Sequence, residues 1–117
     1  MYFVVISEQG PAWDPSRTMR EQKLWPEHVE FINGLIDDGV LHLGGPLADA
    51  SRPDDDFSPA SDPVGDAHRY RTMVVVQAAG SGEAARRLAE DPWITSGVLV
   101  KTSIDRWDVL VGDPSSA

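Results

Sequence analysis

Two stretches of strand, helix and strand character, separated by a long Pro/Ser/Asp-rich segment, constrain this chain more than any other feature of its sequence. The first begins at once. Tyr2 to Ser7 is apolar in both phases, as expected of a strand covered on both faces. Gln9-Gly10-Pro11 breaks it, and the mixed segment Asp14 to Trp25 has room for a short helical turn around Ser16 to Leu24. Pro26 to Gly39 then reads as an amphipathic helix, with proline in its first turn and glycine as its stop. Val40-Leu41-His42-Leu43 alternates as a second strand, ended by Gly44-Gly45-Pro46.

The intervening segment, 48–68, holds Asp49, Asp54, Asp55, Asp56, Asp62 and Asp66. It is longer than compact domains usually leave unstructured, so it is either a functional flap or a mobile insertion. Arg69 to Gln77 makes a third strand with Val74-Val75-Val76 at its heart. Ser81 is placed to N-cap a second helix whose apolar stripe is Ala84, Ala85, Leu88 and Ala89. Asp91-Pro92 ends that helix, because the residue before proline is biased away from helical backbone. Val98 to Val109 forms the last strand, and a phase change near Arg106-Trp107 predicts a bulge there. A single domain over 1–110 and a disordered tail over 111–117 follow.

With right-handed crossovers, this order predicts an α+β domain of the ferredoxin-like, split βαβ kind. Its four-stranded antiparallel sheet carries both helices on one face. The other face bears valine and aromatic residues and would be a large apolar patch if left wet. A homodimer packed sheet to sheet removes that patch.

Composition excludes several classes. Apolar residues make up 41%, enough for a packed core, but no window is long enough to span a membrane. Ten basic against nineteen acidic residues leave a formal charge of −9, which disfavours nucleic acids and anionic membranes. There is no cysteine, so disulfides, thiolate catalysis and thiolate metal sites are removed together. The stretch Met1 to Ile6 lacks the basic character of a signal peptide, so none is expected, and the expected location is the cytoplasm.

Within the first helix, His28 shares a side with Phe31, Ile32, Leu35 and Ile36 at about 100° per residue, while Glu30, Asn33 and Asp37 gather opposite. An imidazole on the core-facing stripe needs a partner or a wet pocket, since burying an unpaired polar group is costly. A backbone carbonyl would make it a core histidine. A carboxylate on one ring nitrogen would fix the tautomer and leave the other to exchange protons.

Pro26-Glu27-His28 opening a helix, Gly39 before a strand and Gly44-Gly45-Pro46-Leu47 after it, Asp91-Pro92 after the second helix and Gly97-Val98 entering the last strand together resemble the YciI-like (YCII-related) family. These are small proteins of the dimeric α+β barrel superfamily. The resemblance runs from Met1 to Trp107 and departs at the insertion Asp49 to His68, the segment Pro11 to Trp25 and the tail. It implies a catalytic histidine and aspartate, which match His28 and Asp91. It also implies chemistry such as isomerisation or halide elimination on ring compounds.

Those residue types suit cofactor-free proton transfer next to a carbonyl, leading to isomerisation, elimination or dehydration, and the resemblance implies a small cyclic or aromatic metabolite as substrate. Backbone N–H groups of Gly44 and Gly45 are candidates for an enolate oxygen, though Gly44-Gly45-Pro46 also reads as a simple turn. Asp91 before proline is equally a helix N-cap, and the two roles are compatible. Trp25 and Trp93 are candidate walls for an aromatic ligand. His42 is a structural residue or lines the pocket or dimer interface, and His68 reads as solvated. No spacing suits a metal, and the aspartates miss the calcium-loop pattern. Two other functions fit the same fold: a cofactor-independent monooxygenase, and a non-catalytic ligand-binding or accessory protein.

Overall fold

Inward and outward residues alternate from the second position onward. In the computed structural model, which describes residues 1–48, 61 and 69–114, strand β1 (Tyr2–Gln9) buries Phe3, Val5 and Ser7. Tyr2, Val4 and Ile6 stand on the opposite face. A 3₁₀ turn (Met19–Glu21) and helix α1 (Trp25–Asp37) lead to β2 (Leu41–Pro46). Then come β3 (Arg71–Gln77), helix α2 (Ser81–Ala89), the short helix α3 (Pro92–Thr95) and β4 (Leu99–Trp107). The strands lie in the order β2-β3-β1-β4, all antiparallel, which is the expected ferredoxin-like sheet. Leu35 of α1 and Ala84 and Leu88 of α2 pack with Phe3, Val5, Leu41 and Val76, so both helices cover the same sheet face.

The strand details correct the sequence reading in three places. First, the β1–β4 bulge is not near Arg106-Trp107, where Phe3 faces Arg106 and Tyr2 faces Trp107 in regular register. It lies at Thr102, left over between the pairs Ile6–Ser103 and Ser7–Lys101, and the Thr102 hydroxyl donates to Ile6 O at 3.2 Å. Second, β2 runs on through Gly44-Gly45-Pro46, and His42 is its extra residue between the pairs Leu41–Val76 and Leu43–Val75. Glycine suits Gly44, where a Cβ would stand 3.0 Å from Val74 Cγ1, and proline is tolerated because β2 is an edge strand. Third, the N-cap of α2 is Gly80 rather than Ser81, and the Glu83 carboxylate instead accepts from the Ala79 N–H at 3.1 Å. Gly39 ends α1 as expected, with φ +74°.

The segment between β1 and α1 builds a second core. Trp13 and Met19 pack with Tyr70, Trp93, Val98 and Leu99. The segment closes around buried Gln22, whose Oε1 accepts from Asp14 N–H at 2.8 Å while its Nε2 donates to Asp14 O at 2.7 Å and Arg17 O at 3.1 Å. The acidic insertion, His68 and 115–117 lie outside the described residues, apart from Ala48 and Ser61. Of the tail expected to be disordered, Val111 is exposed and Pro114 buried.

Gly10 fixes how this second core meets the sheet. Its N–H donates to Val98 O at 2.8 Å, and Ala12 N–H donates to Gly97 O at 2.9 Å. A Cβ at Gly10 would collide with the Gly97 carbonyl, where both neighbours are backbone. Gly10→Ala is expected to lower stability by about 1–3 kcal/mol, the usual cost of forcing atoms into filled space. Urea denaturation measures it, and an unchanged midpoint would show that this contact relaxes freely.

Candidate active site

Asp91 occupies the N-cap of α3 and has two partners. Its Oδ1 accepts the Trp93 backbone N–H at 2.9 Å, the ordinary capping bond. His28 Nδ1 lies 2.9 Å from Oδ1 and 2.8 Å from Oδ2. A carboxylate only accepts, so Nδ1 donates and the neutral imidazole keeps its lone pair on Nε2. The His28 and Asp91 side chains are 15% and 6% exposed, so this pair is largely withdrawn from solvent screening.

Aromatic rings hold the imidazole plane. Trp93 stacks on His28 with centroids 4.0 Å apart and planes 8° from parallel. Trp93 is itself fixed, because its indole N–H donates to Lys23 O at 2.7 Å and its side chain is fully buried. Trp25 leans on His28 at 5.8 Å and on Trp93 at 5.4 Å. Leu24, just before α1, takes left-handed backbone (φ 66°), a conformation costing about 1–2 kcal/mol for a residue with a Cβ. Among the described residues nothing bonds His28 Nε2.

A cavity of about 530 Å³ opens beside this pair. His28, Asp91, Trp25, His42, Gly44, Gly45 and Pro46 all border it, whereas Trp93 does not and stands behind the imidazole. Trp93 was expected at the wall, and it supports the histidine instead. His42 reaches the rim from its bulge, bonded through Nε2 to Gln77 Oε1 at 3.0 Å and edge-on to Tyr2 at 5.6 Å. Val5, Ile32, Leu41 and Val74 make the walls apolar, and half-exposed Ile36 stands on α1 at the edge.

Four polar lining residues escaped the sequence reading: Ser7, Tyr70, Thr72 and Lys101. Ser7 was legible in principle, since it falls in phase with Phe3 and Val5 on the inward side of β1. The others depend on register and on the loop before β3. Among the described residues no cluster of three His, Asp or Glu side chains could hold a metal. No helix among them is long and apolar enough to cross a membrane.

No protein-family model matches the chain, and no curated protein does. Among solved structures the chain is similar to 5-chloro-2-hydroxyhydroquinone dehydrochlorinase (TftG) from Burkholderia phenoliruptrix AC1100, in complex with 2,5-dihydroxybenzoquinone. The two share 18% identity with a TM-score of 0.60, over 92% of this chain and 94% of that one. At this identity the likeness is one of fold.

Tyr70 gives the site a pH-dependent signature. Burial pushes its phenol up from 10.0 to about 12, against a smaller opposing effect of Thr72, and its hydroxyl donates to Met19 Sδ at 3.0 Å. The folded state therefore favours the protonated phenol more than the unfolded chain does. That contribution is complete below pH 10.0 and is lost as pH rises toward about 12. Denaturation midpoints are expected to fall across this window, and Tyr70→Phe is expected to flatten the fall. An equal fall in both proteins would place its origin elsewhere.

Proposed function

We propose that the chain is a YciI-like enzyme that performs cofactor-free proton transfer on a small cyclic or aromatic carbonyl compound. One observation carries the reading: His28, which borders a largely apolar cavity, donates through Nδ1 to a carboxylate, and its Nε2 has no partner among the described residues. In this reading Nε2 takes a proton from carbon next to a carbonyl, and the C–H electron pair moves toward the carbonyl oxygen as an enolate. Asp91 stabilises the imidazolium, and the Trp93 face adds a cation–π contact. Returning the proton at another carbon completes an isomerisation. Expulsion of halide or hydroxide, which leaves with its bonding electrons, completes an elimination or dehydration.

The fold neighbour supports the elimination branch, since its name describes a dehydrochlorinase of a chlorinated hydroxyhydroquinone. Trp25 offers an aromatic wall, and the Gly44 and Gly45 backbone is a candidate donor to the enolate. Elimination is expected to proceed equally without O₂, which separates this chemistry from a monooxygenase. A cytoplasmic site of action is part of the proposal and fits a chain without cysteine.

The test uses 5-chloro-2-hydroxyhydroquinone, whose keto tautomer supplies the ring carbonyl and an sp3 ring carbon from which HCl is lost, with chloride release as the readout. Wild-type protein is expected to release chloride with or without O₂. His28→Ala is expected to lose activity by at least about a hundredfold, the usual worth of a positioned acid–base group. Asp91→Asn, which retains a side-chain oxygen for the cap, is expected to fold yet lose most of the rate. Equal turnover by His28→Ala and wild type would remove the mechanism.

A homodimer through the open sheet face belongs to the same proposal. Val4, Ile6 and Met73 are half-buried there, beside exposed Leu43, Val100 and Trp107. Pairing two such faces would withdraw that apolar surface from water. Native mass spectrometry is expected to give twice the chain mass, and a strictly monomeric species would overturn this part.

A further inference from the structure

The bulge at Thr102 changes what the cavity contains. Without the extra residue, Lys101 would face Glu8 on the open side of the sheet. With it, Lys101 faces Ser7, on the side that carries His28. Bulges commonly re-aim a side chain beside a binding site. Thr72 faces Ser7 from the other neighbouring strand, so one polar row, Thr72-Ser7-Lys101, crosses the face next to the apolar row Val74-Val5-Ile104.

The members of this row are not equivalent. The Thr72 hydroxyl donates to Gly45 O at 2.9 Å and therefore presents lone pairs. Ser7 is 9% exposed and lines the cavity, and its hydroxyl has no hydrogen-bond partner among the described residues. Lys101 is the single Lys or Arg among the described lining residues. It makes no ion pair with any described residue, while Glu8, its alternative neighbour, pairs with Arg69 at 3.8 Å. Asp91, the one carboxylate among the described lining residues, is engaged by His28 and Trp93. On a chain of net charge −9, a cation turned toward a cavity runs against the average surface.

We propose that Lys101 and Ser7 are the specificity-determining pair for an ionised oxygen on the ligand, a phenolate, enolate or carboxylate on a small ring. The inference rests on the proposed proton-transfer function and deepens it. The cavity is bordered both by His28, whose Nε2 has no partner among the described residues, and by Ser7 and Lys101, whose side-chain donors have none among them either. A proton removed at the first leaves negative charge to be received by the second. Lys101 binds that charge in the ground state when the ligand arrives already ionised.

The experiment is calorimetric binding at neutral pH of 2,5-dihydroxybenzoquinone, which is ionised there, and of its neutral 2,5-dimethoxy ether. Wild type is expected to bind the anion, more weakly as salt is raised, and to bind the ether at least about tenfold more weakly. Lys101→Gln is expected to lose about tenfold or more for the anion, the worth of a charge-assisted hydrogen bond, and little for the ether. Ser7→Ala is expected to lose severalfold for the anion. Arg106→Gln, on the same strand but away from this cavity, controls for net charge and is expected to bind like wild type. Equal anion affinity in Lys101→Gln and wild type would overturn the inference, as would failure of wild type to bind the anion or equal binding of the ether. None of these outcomes bears on His28, whose role is read from chloride release.

Discussion

The structure depends on a carboxylate that serves two backbones at once. Asp91 caps α3 through Trp93 N–H and holds His28 of α1 through both oxygens. The cap alone would be ordinary, worth about 1 kcal/mol. The second bond ties α3 to α1, and it makes the capping carboxylate the partner of the imidazole as well. Trp93, the residue whose amide is capped, then returns its ring to the imidazole and its indole N–H to Lys23 O before α1. The geometry of His28 is thus set by a closed loop of contacts.

Two irregularities in the edge strands shape the cavity that this loop adjoins. The extra residue His42 in β2 and the extra residue Thr102 in β4 lie on opposite edges of the sheet. Each shifts the register by one residue, which reverses the facing of the side chains on one side of it relative to those on the other. On β4 the consequence is Leu99 and Lys101 on the helix-covered side, one in the second core and the other at the cavity. The central strands β1 and β3 stay regular, so the irregularity is confined to strands with a free side.

How much of this was legible follows the range of the interaction involved. The period of Tyr2 to Ser7 and of Pro26 to Gly39 reports burial directly, and element order with right-handed crossovers then leaves little freedom in the sheet. The facing of His28 toward the apolar side was legible for the same reason. Thr102 was not, because a bulge is set by how two distant strands align, and Lys101-Thr102-Ser103 carries no local mark of it. Nor was the position of Trp93: beside Asp91 it reads equally as a wall or a support, and only its bond to Lys23 O, seventy positions away, decides. Ser81 illustrates a local rule displaced, since the N-cap falls one residue earlier at Gly80 and Glu83 reaches back to the Ala79 amide before it.

A core histidine remains the simplest rival account of His28, and energetics argue against it. A histidine kept for packing needs one partner, and a backbone carbonyl supplies it without burying a charge. Here the partner is a carboxylate that is 6% exposed, and its desolvation offsets much of what the pair gains. Leucine or methionine at position 28 would fill the apolar stripe of α1 at lower cost. The stacking Trp93 and the strained Leu24 before α1 add further constraint at the same place. Such expenditure is unfavourable if stability were its only return, because it leaves Nε2 of a cavity-lining residue unbonded among the described residues. It makes sense where a nitrogen of fixed tautomer, orientation and access is what the fold supplies.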